Sequence, residues 1–72
     1  MANEDSIEVT ATVYEVLPNS QYRVVLENGH KALAYAAGKL KFRRIRILTG
    51  DTVLVHLSPY DLNRGRIVWR TK

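Results

Sequence analysis

Ile7, Val9, Ala11 and Val13 alternate with Glu8, Thr10, Thr12 and Tyr14. Successive side chains of an extended chain point to opposite faces, so this alternation predicts a half-buried strand. The phase slips near Glu15, because Val16 is the next large aliphatic residue. A bulge or strong coil there would return the apolar positions to the inner face. Leu17-Pro18-Asn19-Ser20 has the composition of a turn. Beyond it, Tyr22, Val24 and Leu26 share one face of a second strand. Glu27-Asn28-Gly29-His30 contains Asn-Gly, two residues that tolerate positive φ, and so predicts a hairpin. The third strand runs from Lys31 to Ala36, where the alanines leave the inward face open.

Gly38 to Arg44 has no β-branched residue and can form one helical turn, too short to persist without packing. Thr49-Gly50-Asp51 is a turn, and Val53, Val55 and Leu57 alternate through a fourth strand ending at Ser58-Pro59. Tyr60 to Gly65 reads as a loop, and Arg66 to Arg70 as the fifth strand. On that strand Ile67 and Trp69 share the face expected to enter the core, while Arg66, Val68 and Arg70 share the other. The layout predicts an all-β fold: a five-stranded OB-fold barrel with a short helical turn between strands three and four. An SH3-like barrel has a similar strand count, and the insert between strands three and four favours the OB-fold. Closing the barrel removes exposed edges, which matters for a chain that is nearly all strand.

With 72 residues the chain holds one domain, spanning 1–72, with residues 1–5 expected to be flexible. A domain this small buries only about 60% of the surface that its unfolded chain exposes. It has no cysteine, so disulfides and thiolate metal sites are excluded. His30 and His56 have no spaced carboxylates to complete a metal site, and neither metal nor cofactor is expected. Ser6, Ser20 and Ser58 lie in no nucleophile motif, so the chain reads as non-enzymatic. Gly29, Gly38, Gly50 and Gly65 read as turn glycines. The start, Met1-Ala2-Asn3-Glu4-Asp5, is acidic and polar, unlike a signal peptide, and no apolar run is long enough to span a bilayer. A cytoplasmic protein, or a stromal one if a plastid copy, is expected.

Charge is distributed unevenly. Residues 1–37 carry two basic side chains against five acidic ones, a net −3, whereas residues 38–72 carry nine against two, a net +7. Such a chain turns a basic surface toward a polyanion. One basic group is Lys39, Lys41, Arg43, Arg44 and Arg46, and the other is Arg64, Arg66, Arg70 and Lys72. Guanidiniums fork onto phosphates or stack on unpaired bases, which lysine does poorly. OB-folds bind single strands by stacking bases on aromatic rings. Tyr60, in a loop after Pro59, is the best exposed ring for this; Trp69 is expected in the core, and Phe42 can plug the barrel end or offer a stacking face. The interleaved aromatic-basic strand motifs of cold-shock domains are absent.

Leu17-Pro18-Asn19 with Tyr22-Arg23-Val24, Leu26-Glu27-Asn28-Gly29-His30, Gly38-Lys39, Ile45-Arg46-Ile47-Leu48-Thr49-Gly50-Asp51, Ser58-Pro59-Tyr60-Asp61-Leu62 and Arg64-Gly65-Arg66-Ile67-Val68 with Arg70 together resemble bacterial translation initiation factor 1. The match is collinear, needs no gap and covers nearly the whole chain.

The resemblance implies an OB-fold monomer that occupies the decoding (A) site of the small ribosomal subunit. Its partners would be 16S-type ribosomal RNA, a neighbouring ribosomal protein and the two larger initiation factors, with no membrane contact. It would block premature arrival of transfer RNA and hold two decoding adenines flipped out of their helix. The turn Pro18-Asn19-Ser20 would enter the minor groove of that helix. Basic contacts would fall on Lys39, Lys41, Arg46, Arg64, Arg66 and Arg70, with Arg43, Arg44, Lys72 and Tyr60 as further RNA-binding candidates. Tyr35 stands where the family usually has histidine, and Ala37 where it has serine. Arg44 stands where an aromatic residue is frequent, Phe42 where a basic one is usual, and Trp69 where phenylalanine or tyrosine is usual. A general single-stranded RNA-binding protein or RNA chaperone of cold-shock type is the alternative, and a protein-binding barrel with an incidental basic face is a third reading.

Overall fold

A computed structural model describes residues 7–36, 38 and 46–71. Five strands make up the described chain: β1 (Ile7–Leu17), β2 (Gln21–Leu26), β3 (Lys31–Ala36), β4 (Thr52–Ser58) and β5 (Asp61–Arg70). They form a closed barrel in the order β1-β2-β3-β5-β4. β1 is long enough to serve two neighbours. Its first half pairs antiparallel with β4 (Ile7↔Leu57 to Thr12↔Thr52), and its second half with β2 (Ala11↔Leu26 to Leu17↔Gln21). β5 inserts between β3 and β4, parallel to the first and antiparallel to the second. The connection between those two parallel strands, residues 37–60, includes β4 and is long enough for the crossover that parallel pairing needs. The expected OB-fold barrel is the observed one. The helical turn expected over Gly38–Arg44 lies, except for Gly38 with its helical backbone, outside the described residues, as do the expected flexible positions 1–5.

The core is filled by alternate residues. Ala11 and Val13 of β1, Val24 of β2, Ala32, Ala34 and Ala36 of β3, Val53, Val55 and Leu57 of β4, and Ile67 of β5 are buried together with Ile47. The alanines of β3, ambiguous in sequence, are thus its inward face. Their small size lets that wall approach the others closely.

Two strands depart from simple alternation. In β1 the register shifts between Val13 and Glu15, leaving Tyr14 as the extra residue of a bulge. The slip read from the sequence is there. Val16 then pairs with Tyr22, which packs against the core, yet Val16 itself remains 47% exposed. In β5 Ile67 pairs with Val55 but Trp69 pairs with Leu54, so Val68 is extra. This bulge overturns two expectations. Trp69 leaves the inner phase and stands 42% exposed beside Leu54. Arg70 pairs with the core residue Val53 and no longer shares a face with Arg66.

The connections also differ in detail from expectation. β5 begins at Asp61, so most of the expected loop is strand, and the turn from β4 is Pro59-Tyr60, closed by Ser58↔Asp61. Leu62, Asn63 and Arg64 have no partner on β4; Arg64 pairs with Leu33 on β3. Gly65 is no turn glycine. It lies inside β5, buried, where a Cβ would come within 2.6 Å of both Leu57 Cδ2 and Val55 Cγ1. The hairpin at Asn28-Gly29 forms, but Gly29 N–H donates to Leu26 O at 2.9 Å and Leu26 N–H to His30 O at 2.8 Å. Only Gly29 has positive φ there, at 90°. This is a three-residue loop with a glycine bulge and not the two-residue turn that has both central residues left-handed. The Asn28 side chain is spent on accepting the His30 N–H at 2.9 Å.

Candidate nucleic-acid interface

The β1–β2 tip is a tightly constrained loop. Asn19 and Ser20 are both left-handed, with φ of 63° and 61°. Asparagine tolerates this conformation better than most residues, whereas serine adopts it at a cost. The tip is held in place because Ala36 N–H donates to Ser20 O at 3.1 Å, tying it to β3. Pro18 and Asn19 are exposed at the apex. The result is a narrow, pre-set wedge whose shape is not left to a flexible chain.

A second group lies on the outer face of the sheet. Register places Tyr35, Arg66, His56 and Glu8 side by side across β3, β5, β4 and β1. The Arg66 guanidinium lies over the Tyr35 ring, 5.9 Å from its centroid, and His56 Nε2 is 4.0 Å from Glu8 Oε2. One step away Arg64 neighbours Leu33, which neighbours Arg23, and Arg23 pairs with Glu15 at 3.2 Å. On the other side of Arg66 the Trp69 indole is exposed. Guanidiniums flanked by exposed rings suit phosphates and unstacked bases together. Tyr60, at the β4–β5 turn, is 86% exposed as expected, its N–H donating to Ser58 Oγ at 3.1 Å. His30 is structural: its Nε2 lies 3.0 Å from Leu62 O and links the β2–β3 loop to the start of β5.

Arg46 is exposed and directly precedes the buried Ile47. Arg70 reaches it: Arg70 Nη1 donates to Arg46 O at 2.7 Å, and Arg70 Nε lies 3.8 Å from Asp51 Oδ2. The structure therefore divides the expected cations. Arg64 and Arg66 stand on the outer sheet face, while Arg46 and Arg70 meet at the end of the barrel. Lys39, Lys41, Arg43, Arg44 and Lys72, with Ala37 and Phe42, lie outside the described residues. Sequence reasoning missed Tyr35 as a partner of Arg66 and Asp51 as a partner of Arg70. An acid in so basic a half of the chain was the available signal for Asp51.

A closed OB barrel with a rigid hairpin tip and arginines set among exposed rings belongs to the class of OB-fold RNA-binding proteins. The model of the family described as translation initiation factor 1A / IF-1 matches residues 1–72. The chain is 39% identical to translation initiation factor 1 from the Wolbachia endosymbiont strain TRS of Brugia malayi, whose solution structure superposes with a TM-score of 0.78 over 97% of this chain and 83% of that one. It also superposes with a TM-score of 0.74 on 92% of this chain and 23% of YjeQ from Thermotoga maritima, at 22% identity, a likeness of fold alone. This chain belongs to the translation initiation factor 1A / IF-1 family, and its role is in the initiation of protein synthesis.

Proposed function

We propose that this initiation factor binds the decoding (A) site of the small ribosomal subunit through ribosomal RNA. There it bars premature transfer RNA and supports the two larger initiation factors as a monomer in the cytoplasm. The observation that carries the reading is the β1–β2 tip. Two successive left-handed residues, one of them a serine, hold Pro18-Asn19-Ser20 in a fixed protrusion, and backbone strain of this kind persists where surrounding structure enforces it. A preset wedge loses little conformational entropy on entering a groove. The wide, shallow minor groove of an A-form helix is the one that protein can read by shape.

Arg46, Arg64 and Arg66 then supply phosphate contacts, and the rings of Tyr60 and Tyr35 meet exposed bases. Lys39, Lys41, Arg43, Arg44 and Lys72 are the further cations that this reading assigns to the RNA. The action is occupation of a site and stabilisation of a flipped-base conformation, with no bond broken.

The test is binding to purified small subunits in competition with unstructured RNA. The reading expects one saturable site, reactivity changes confined to the decoding helix on chemical probing, and release when large subunits join. Equal affinity for many unstructured RNAs would establish a chaperone of cold-shock type instead. Binding to neither would leave a protein-binding barrel.

A further inference from the structure

The stretch Arg46–Asp51 is anchored to the barrel from three directions. Ile47 is buried in the core. Gly50 N–H donates to Val13 O at 2.7 Å, and Val13 N–H to Asp51 O at 2.9 Å, which stitches the stretch to β1. The third anchor comes from β5. Asp51 Oδ2 accepts the Leu48 N–H at 2.8 Å while lying 3.8 Å from Arg70 Nε, and Arg70 Nη1 donates to Arg46 O. Asp51 N–H also donates to Leu48 O at 3.0 Å, so the turn closes on itself. The Asp51 side chain is 20% exposed and that of Arg70 38%, so the pair is partly shielded and less screened than a fully exposed one. Arg70 is thus held to an anion and a carbonyl, while the exposed Arg46 side chain projects from the peptide that Arg70 fixes.

We infer that Arg70 is a positioning residue. With Asp51 it locks the Arg46 main chain, and it acts on RNA through the Arg46 guanidinium. The inference rests on the proposed reading that Arg46 contacts ribosomal RNA. The physical reason is cost. A long cationic side chain forfeits rotamer and backbone freedom when it engages a phosphate, and a fixed main chain removes part of that loss in advance. A guanidinium spanning two acceptors can do this because its donors form a planar fork, whereas lysine is a point charge.

A binding cycle with Arg46→Ala, Arg70→Ala and the double variant tests it on purified small subunits. Each single variant is expected to weaken affinity by about tenfold, the scale of one charge-assisted contact. The double variant should match the singles, because one contact is lost by either route. Losses that multiply would make Arg70 an independent contact and overturn the inference, as would parental affinity in Arg46→Ala. Arg70→Lys should bind like Arg70→Ala, and parental affinity would show that charge alone is needed.

Asp51→Asn gives the sharpest sign. Removing a negative charge from an RNA-binding surface by itself tightens binding, whereas loss of the clamp weakens it. Tighter binding overturns the inference. Amide hydrogen exchange on the free protein decides without RNA. In Arg70→Ala the Leu48 amide should exchange faster while those of Val24 and Val55 keep their protection, and an unchanged Leu48 would refute the clamp. If the parent fails to bind small subunits, the functional reading falls, and the exchange result still decides whether the clamp exists.

Discussion

Substituting Gly65 by alanine adds one methyl group to a tight point of the barrel. That carbon would sit 2.6 Å from Leu57 Cδ2, 2.6 Å from Val55 Cγ1 and 3.1 Å from His56 O. The first two are side-chain atoms of buried residues, and the third is backbone of a strand paired to β5, so making room would shift core side chains and the β4 backbone. Forcing a methyl into a packed core costs about 1–3 kcal/mol. Alanine also narrows the unfolded ensemble, which returns about 0.4–1 kcal/mol where the backbone is compatible. At the midpoints of the two ranges, about 2 kcal/mol against about 0.7 kcal/mol, the clash wins by about 1.3 kcal/mol. For a domain of this size each kcal/mol shifts Tm by about 4–8 °C, so Gly65→Ala should melt about 5–10 °C below the parent. Thermal melts by far-ultraviolet circular dichroism, with urea titrations to check that the m-value is unchanged, measure this directly. A melting temperature within about 2 °C of the parent, small against this scale, would refute the account of β5 as a strand that glycine alone lets approach β4.

Trp69→Ala should cost roughly 1–2 kcal/mol, below the about 3–5 kcal/mol of a fully buried tryptophan, and acrylamide should quench the native indole freely. Ser20→Gly should stabilise by up to about 1 kcal/mol in denaturant titrations, because it relieves a left-handed backbone that serine resists. If about four phosphates are contacted, log affinity for small subunits should fall with log salt at a slope near −3, and an affinity indifferent to salt would remove the basic surface from the mechanism.

The contrast between β1 and β5 shows what a sequence can disclose about a strand. In β1 the bulge is legible because Glu15 falls where an apolar residue is due, and that polar interruption marks the slip. In β5 the bulge falls within Ile67-Val68-Trp69, apolar on both phases, so no residue betrays the extra one. Simple alternation, carried past Val68, therefore puts Trp69 and Arg70 on each other's faces. Gly65 is opaque for another reason: a glycine beside a turn looks like part of it, and the need for close approach comes from Val55 and Leu57, on another strand. The basic character of the interface is readable from charge, whereas the split between a sheet-face pair and a clamped pair depends on where Asp51 comes to rest.

The placement of β5 between β3 and β4 governs how the barrel is reached from the unfolded chain. The β1–β2 and β2–β3 pairings join neighbours in sequence and can form as hairpins early. The closing contacts, such as Ile7 with Leu57 and Leu33 with Arg64, join residues far apart, and each requires a long loop to be drawn shut before any contact rewards it. High average separation of this kind is associated with folding on the millisecond-to-second scale and not in microseconds. Until β5 docks, β3 and β4 each keep an unpaired edge, so the interval before closure is when a folding intermediate would be most open to pairing with another chain.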